Sequence, residues 1–257
     1  MKLNRQNTLV KLIDKLKKSP IKFDTFLDEL NLINDTFFDN PELEFELLLS
    51  NGLPLDLVDD TVVLKTAYTP VLDQTFCIVD IETNGGHVSK GHQIIELGAV
   101  KYKNGVIVDK FESLVYAKDI PDFIQEVTNI KPSMLEDAPV VETVLKEFKL
   151  FLEDDVFVAH DIKFDYNFIS DSLEKYDLGK LENRKLCTID LARRTIKAPK
   201  YGLSSLKEVL EIDIDNHHRA YSDAYCTTMV LQECLNLLPN EIVYSEDLID
   251  FSKMQKV

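Results

Sequence analysis

The chain has 257 residues, 45% of them hydrophobic and 29% charged, and Asp plus Glu outnumber Lys plus Arg 45 to 29, for a formal charge of −16. That balance excludes a protein that coats long nucleic acid by neutralising phosphates, but not an enzyme that grips one strand end, because bound cations supply positive charge locally. No segment offers the ~18 apolar residues of a membrane span, and Lys11, Asp14 and Lys15 interrupt the apolar pattern where a signal peptide needs its core.

The spacing predicts helices over residues 8–18, 23–30 and 41–50, the last capped by Asn40 with Pro41 in its first turn. Residues 51–65 read as two short strands around Asp59-Asp60. Three helices and a hairpin suggest a small winged-helix-like unit over residues 1–70. Residues 1–22 carry seven Lys/Arg, but residues 23–64 carry none against eleven Asp/Glu. The helix that would enter DNA holds Glu42, Glu44 and Glu46, which phosphate repels. The unit is therefore expected to dock a protein partner or to pack against the rest of the chain. Pro70 marks the boundary, since it interrupts both helix and strand patterns.

From Thr75 the pattern is α/β. Residues 75–82, TFCIVDIE, form a short apolar run suited to a central strand. Two further strands follow at 93–102 and 106–116, joined at the turn dipeptide Asn104-Gly105. Helices are expected at 121–127 and 140–152, a strand at 156–160, and a helix opening at Phe164. More helices fit 188–196, 204–210 and 222–238, the last with Ser222 as cap, and 241–257 reads as a short tail. The expected architecture is a mixed sheet flanked by helices, spanning 71–240. Cys77, Cys187, Cys226 and Cys234 make no CxxC pair and no zinc spacing, so a reduced, cytoplasmic protein is the expectation.

Asp80 and Glu82 stand two apart on a strand, so both side chains leave the same face of an otherwise apolar run. Buried together they repel and lose solvation unless a cation neutralises them. Alone, such a pair also fits a solvated strand end. Asp165 and Asp223 each fall in a first helical turn, where the helix dipole favours an acid in any case. His218 precedes Asp223 by five residues and adjoins His217, and the residues themselves do not choose between the two histidines.

Taken together, VDIETNG, VAHDIKFD and His218-x4-Asp223 resemble the three motifs of the DEDD superfamily of 3′–5′ exonucleases. The match is to the DEDDh branch, which includes the proofreading epsilon subunit of bacterial replicative polymerase, ribonuclease T and oligoribonuclease. The resemblance runs from about Thr75 to Leu238 and includes IIELGAV, EVTNIKPSMLEDAP, CTIDLARR and GLSSLKEVL. It implies a ribonuclease H-like fold and metal-dependent release of nucleotides from the 3′ end of single-stranded or frayed DNA, with RNA as the alternative. By position, Asp80, Glu82, Asp165 and Asp223 would ligate two Mg²⁺ or Mn²⁺ ions and His218 would be the general base. All-oxygen ligands suit hard cations, and a pair ~3.5–4 Å apart stabilises attacking and leaving oxygens together. A histidine near its ordinary pKa of ~6.5 accepts a proton close to neutrality.

Thr83, Asn84 and Gly85, the last three residues of the first motif, are expected to touch the terminal nucleotide. Asn84 stands where a threonine is usual, and Asp161 where a small residue or asparagine is usual, adding an anion near the metals. Arg193, Arg194 and Lys197 lie in the one locally basic stretch of this part, seven Lys/Arg between Arg184 and Lys207 with Asp190 as its acid. They are expected, with Tyr201, to guide the phosphates of the strand. From another class, an inactive nuclease fold serving as a scaffold would show a lost metal ligand, and none is lost.

Overall fold

The computed structural model describes residues 5–33, 40–213 and 219–254, with side chains from Asn7 onward. Helices α1 (Arg5–Leu16), α2 (Phe23–Leu30) and α3 (Pro41–Ser50) pack on strands β1 (Ile21–Lys22), β2 (Leu55–Val58) and β3 (Thr61–Leu64), which form an antiparallel sheet ordered β1-β3-β2. Leu12, Leu16, Phe26, Leu30, Phe45, Leu48, Val62 and Leu64 fill its core. The Asn40 side chain accepts the amides of Glu42 and Leu43 and so caps α3, with Pro41 supplying the fixed first-turn φ. Glu42 and Glu46 face outward, but Glu44 is buried, so two of the three acids counted against phosphate are presented to it.

The larger sheet starts with a meander of β4 (Phe76–Thr83), β5 (Ile94–Lys103) and β6 (Val106–Leu114). Asn104 and Gly105 turn between β5 and β6 with φ of +49° and +81°, the left-handed pair that a two-residue hairpin demands. After α4 (Asp122–Thr128), α5 (Pro132–Leu135) and α6 (Val141–Leu152), strand β7 (Val156–Ala159) joins β4 in parallel. Helix α7 (Ile162–Lys175) leads to β8 (Lys185–Cys187), parallel to β7, and the sheet order is β6-β5-β4-β7-β8. Then come α8 (Thr188–Thr195), α9 (Leu203–Val209), α10 (Ala220–Asn236) and α11 (Ser245–Lys253).

Strand periodicity distributes β4 between two cores. Cys77, Val79 and Ile81 pack with residues of α6 and α7, while Phe76 and Ile78 pack with residues of α8, α10 and α11. Asp80 and Glu82 continue the second face at the strand's end. Two expected boundaries shift: α7 begins at Ile162 rather than Phe164, and α10 begins at Ala220, so Ser222 lies inside the helix and is not its cap. The expected tail is also corrected, because Leu248 and Ile249 of α11 are fully buried in the second core.

Helix α11 also ties the small N-terminal unit to the sheet. Buried Glu246 takes a two-pronged ion pair from Arg184 (2.7 and 2.7 Å) and a hydrogen bond from Thr66 (2.7 Å), with Lys17 3.6 Å away. Lys65 pairs with Asp154, and the Glu182 amide donates to the Asn51 carbonyl. No helix among the described residues is long and apolar enough to cross a membrane.

Candidate active site

Three elements deliver acids to one end of the sheet. Asp80 and Glu82 come from the end of β4, Asp223 from the first turn of α10, and Asp165 from the first turn of α7. One carboxylate oxygen from each of Asp80, Glu82 and Asp223 lies within 4.8 Å of the others. Asp165 reaches the same strand from the opposite layer, its Oδ1 accepting the Ile81 amide at 3.3 Å.

The electrostatics are those of carboxylates crowded together in a buried site. Burial raises the Asp80 carboxyl well above the usual carboxylate range, and the charges of Asp165, Asp223, Glu82 and Glu96 raise it further. Glu82 is pushed up to about 7 by burial, then by Asp223 and Glu96, with Arg219 opposing. Asp165 is pushed up to about 8 by burial; backbone amides oppose this, and Asp161 and Glu82 add to it. Holding such groups ionised at neutral pH requires positive charge. An all-carboxylate donor set at this spacing fits hard divalent cations.

His218 lies outside the described residues. Another histidine, His160, sits at the end of β7, and the sequence did not single it out. Its Nε2–H donates to the Tyr201 carbonyl (3.0 Å) and its Nδ1 faces the Thr188 hydroxyl (2.8 Å). Burial holds its pKa down at about 4. With both nitrogens engaged, His160 anchors the loop between α8 and α9 and is no candidate base.

The loop after β4 is held from within. Thr83 Oγ1 donates to the Gly85 carbonyl (2.9 Å), and Asn84 Oδ1 accepts the Gln93 amide (2.8 Å) while its Nδ2 donates to the Asp119 carbonyl (3.4 Å). These hydrogen bonds hold the rim of the site in shape. Asp161 turns the chain into α7 in the left-handed region (φ +73°), exposed and close enough to act on Asp165. Of the three basic residues, Arg193 and Lys197 are exposed, Arg193 lying 6.0 Å from the Tyr201 ring and pairing with Asp190 at 3.2 Å. The expectation for Arg194 is corrected: its guanidinium donates to the Met254 carbonyl (2.6 Å) and stacks 4.5 Å from Phe251. It fastens α11.

Residues 77–231 match the exonuclease family RNase_T. The chain is 36% identical over 204 residues to the PolC-type DNA polymerase III of Halalkalibacterium halodurans, a match covering 77% of this chain and 14% of the relative. It is 36% identical over 187 residues to that of Staphylococcus aureus, covering 72% and 12%. The chain thus spans about one seventh or less of these relatives' length. Among solved structures, exonuclease X in complex with 5′-overhanging duplex DNA aligns with a TM-score of 0.54 and 24% identity, over 69% of this chain and 99% of that one. Exonuclease I aligns with a TM-score of 0.59 and 16% identity, over 70% and 43%. These two likenesses show the ribonuclease H-like exonuclease fold.

Proposed function

The chain belongs to the RNase_T exonuclease family, and on that footing we propose that it removes nucleotides from the 3′ end of single-stranded or frayed DNA by divalent-cation-dependent hydrolysis. The observation that carries this reading is the convergence of Asp80, Glu82 and Asp223 oxygens within 4.8 Å, with Asp165 bound to the same strand. Asp80, Glu82, Asp165 and Asp223 would hold two Mg²⁺ or Mn²⁺ ions, which polarise the phosphate and acidify a water when bound. The protein's own part is to keep four anions together: the strand fixes two, and the α10 and α7 backbones fix the others before substrate arrives. His218 is the proposed base that takes the water's proton on a ring nitrogen.

DNA is favoured over RNA by the likeness to part of two chains named as DNA polymerases, which makes proofreading or repair the proposed setting. Three buried cysteines and one half-buried one, all free, fit a reduced cytoplasm. The acidic N-terminal unit is proposed to take a protein partner rather than the strand, so Glu42→Lys with Glu46→Lys leaves cleavage unchanged.

The test is shortening of 5′-labelled DNA and RNA strands, with paired and mismatched 3′ ends, under Mg²⁺, Mn²⁺ or EDTA. Stepwise, cation-dependent loss from the DNA 3′ end supports the reading. Intact strands under every metal, with wild type and Asp80→Ala indistinguishable, would support a scaffold instead.

A further inference from the structure

Resting on that reading of the site, we propose that Glu96 and Arg219 form a positioning clamp that sets α10, and with it the ligand Asp223, against the acids of β4. Glu96 lies on β5 directly across from Glu82, and Gly98 directly across from Asp80. Residues opposed across antiparallel strands share a face, so Glu96 and Gly98 look toward α10 beside the two β4 acids.

Both meet the start of that helix. Arg219, immediately before Ala220, grips the Glu96 carboxylate through Nε (3.0 and 3.1 Å) and Nη2 (2.6 Å). The Ala220 amide donates to Glu96 Oε2 at 3.0 Å, satisfying one orphan donor of the helix terminus. Two residues on, a Cβ built on Gly98 would collide with the backbone of Ala220 and Tyr221. Glycine is what lets the first turn of α10 lie against β5. Asp223 is one turn beyond Arg219, and its amide donates to the Arg219 carbonyl at 3.0 Å, so a shift at the clamp moves the ligand.

The arrangement is costly in a way that points to a role. Glu96 is fully buried and adds a negative charge next to Glu82, where an apolar residue would bring no repulsion. What the carboxylate gains is a planar, two-point hold on Arg219 that fixes both distance and rotation of the helix start. Arg219 is also the residue that follows the proposed base, His218, in the sequence.

The experiment compares wild type, Glu96→Ala, Glu96→Gln, Arg219→Lys and Gly98→Ala by Mn²⁺ titration calorimetry and by single-strand cleavage, all below each variant's Tm. Outer-shell orientation is worth about 10- to 100-fold in metal affinity. Glu96→Ala and Gly98→Ala should lose that much Mn²⁺ affinity, with kcat falling and KM for the strand changing less than about twofold. Glu96→Gln and Arg219→Lys should fall between, and excess Mn²⁺ should restore part of their kcat. Should Glu96→Ala or Gly98→Ala fail to fold, the two milder variants decide. Unchanged Mn²⁺ affinity and kcat in folded variants, with only Tm lowered, would leave the pair a plain structural bridge and overturn the clamp. A wild type that binds no Mn²⁺ would remove the parent reading and the clamp with it.

Discussion

The junction of α11 with the N-terminal unit and the end of β4 both bury carboxylates, and they treat them in opposite ways. At the junction of α11 with the N-terminal unit, Glu246 meets Arg184, Thr66 and Lys17; burial opposes ionisation there, but these partners win and its pKa is lowered. At the end of β4, Asp80, Glu82 and Asp165 face one another and Asp223, and their pKa values rise. An acid that only holds structure is given its counter-charge by the fold. The acids proposed to hold metal are instead crowded together, which leaves a demand for positive charge that a ligand can meet.

The comparison can be broken most decisively at Asp80. Asp80→Asn should cost about 10²-fold or more in kcat, the several kcal/mol expected of lost metal stabilisation. It should also raise Tm of the metal-free protein, because one repelling charge is gone; a lower Tm would contradict the account. Glu246→Ala should do the reverse. It leaves Arg184 half-buried without its partner, costing about 3 kcal/mol and a Tm drop on the order of 10 °C, with kcat held below the transition.

Metal and pH sharpen the contrast further. Glu82 and Asp165 have folded pKa values of about 7 and about 8, above their unfolded range of about 4. Their contribution to stability is therefore fully present below pH ~4 and is lost as pH rises through 7 to 8. Metal-free protein should lose Tm across that window, and the Tm gain on adding Mn²⁺ should widen over it. A metal-induced gain independent of pH would mean the acids are not its ligands. The smallest effect is expected at the rim: Arg193→Ala with Lys197→Ala should raise KM a few-fold and flatten the log–log salt slope by roughly 1. Arg194→Ala should instead lower Tm, because that side chain holds Met254.

How much of this was legible follows from the range of the interactions. Asp80 and Glu82 could be paired from the sequence because strand periodicity is local, and most strands and helices followed from apolar spacing, though the two- and three-residue strands β1 and β8 are too short to carry a pattern and were not foreseen. The turn at Asn104-Gly105 was legible for the same reason. Asp165 and Asp223 had no local signal beyond a first helical turn, and only the family resemblance grouped them with β4. The partners of Asn84 lie at Gln93 and Asp119, and that of Arg194 at Met254, separations that no window on the sequence registers. Helix α11 is short and follows an irregular stretch, so its buried Leu248 and Ile249 read as part of a tail. Glu44 was counted among the acids that phosphate would meet, and the fold buries it.

The central claim is that acids from three separate elements share one dinuclear metal centre. Anomalous diffraction from manganese-soaked crystals tests it most directly. The account predicts two peaks among the carboxylates of Asp80, Glu82, Asp165 and Asp223. An empty map there, with these oxygens turned away from one another, would contradict it.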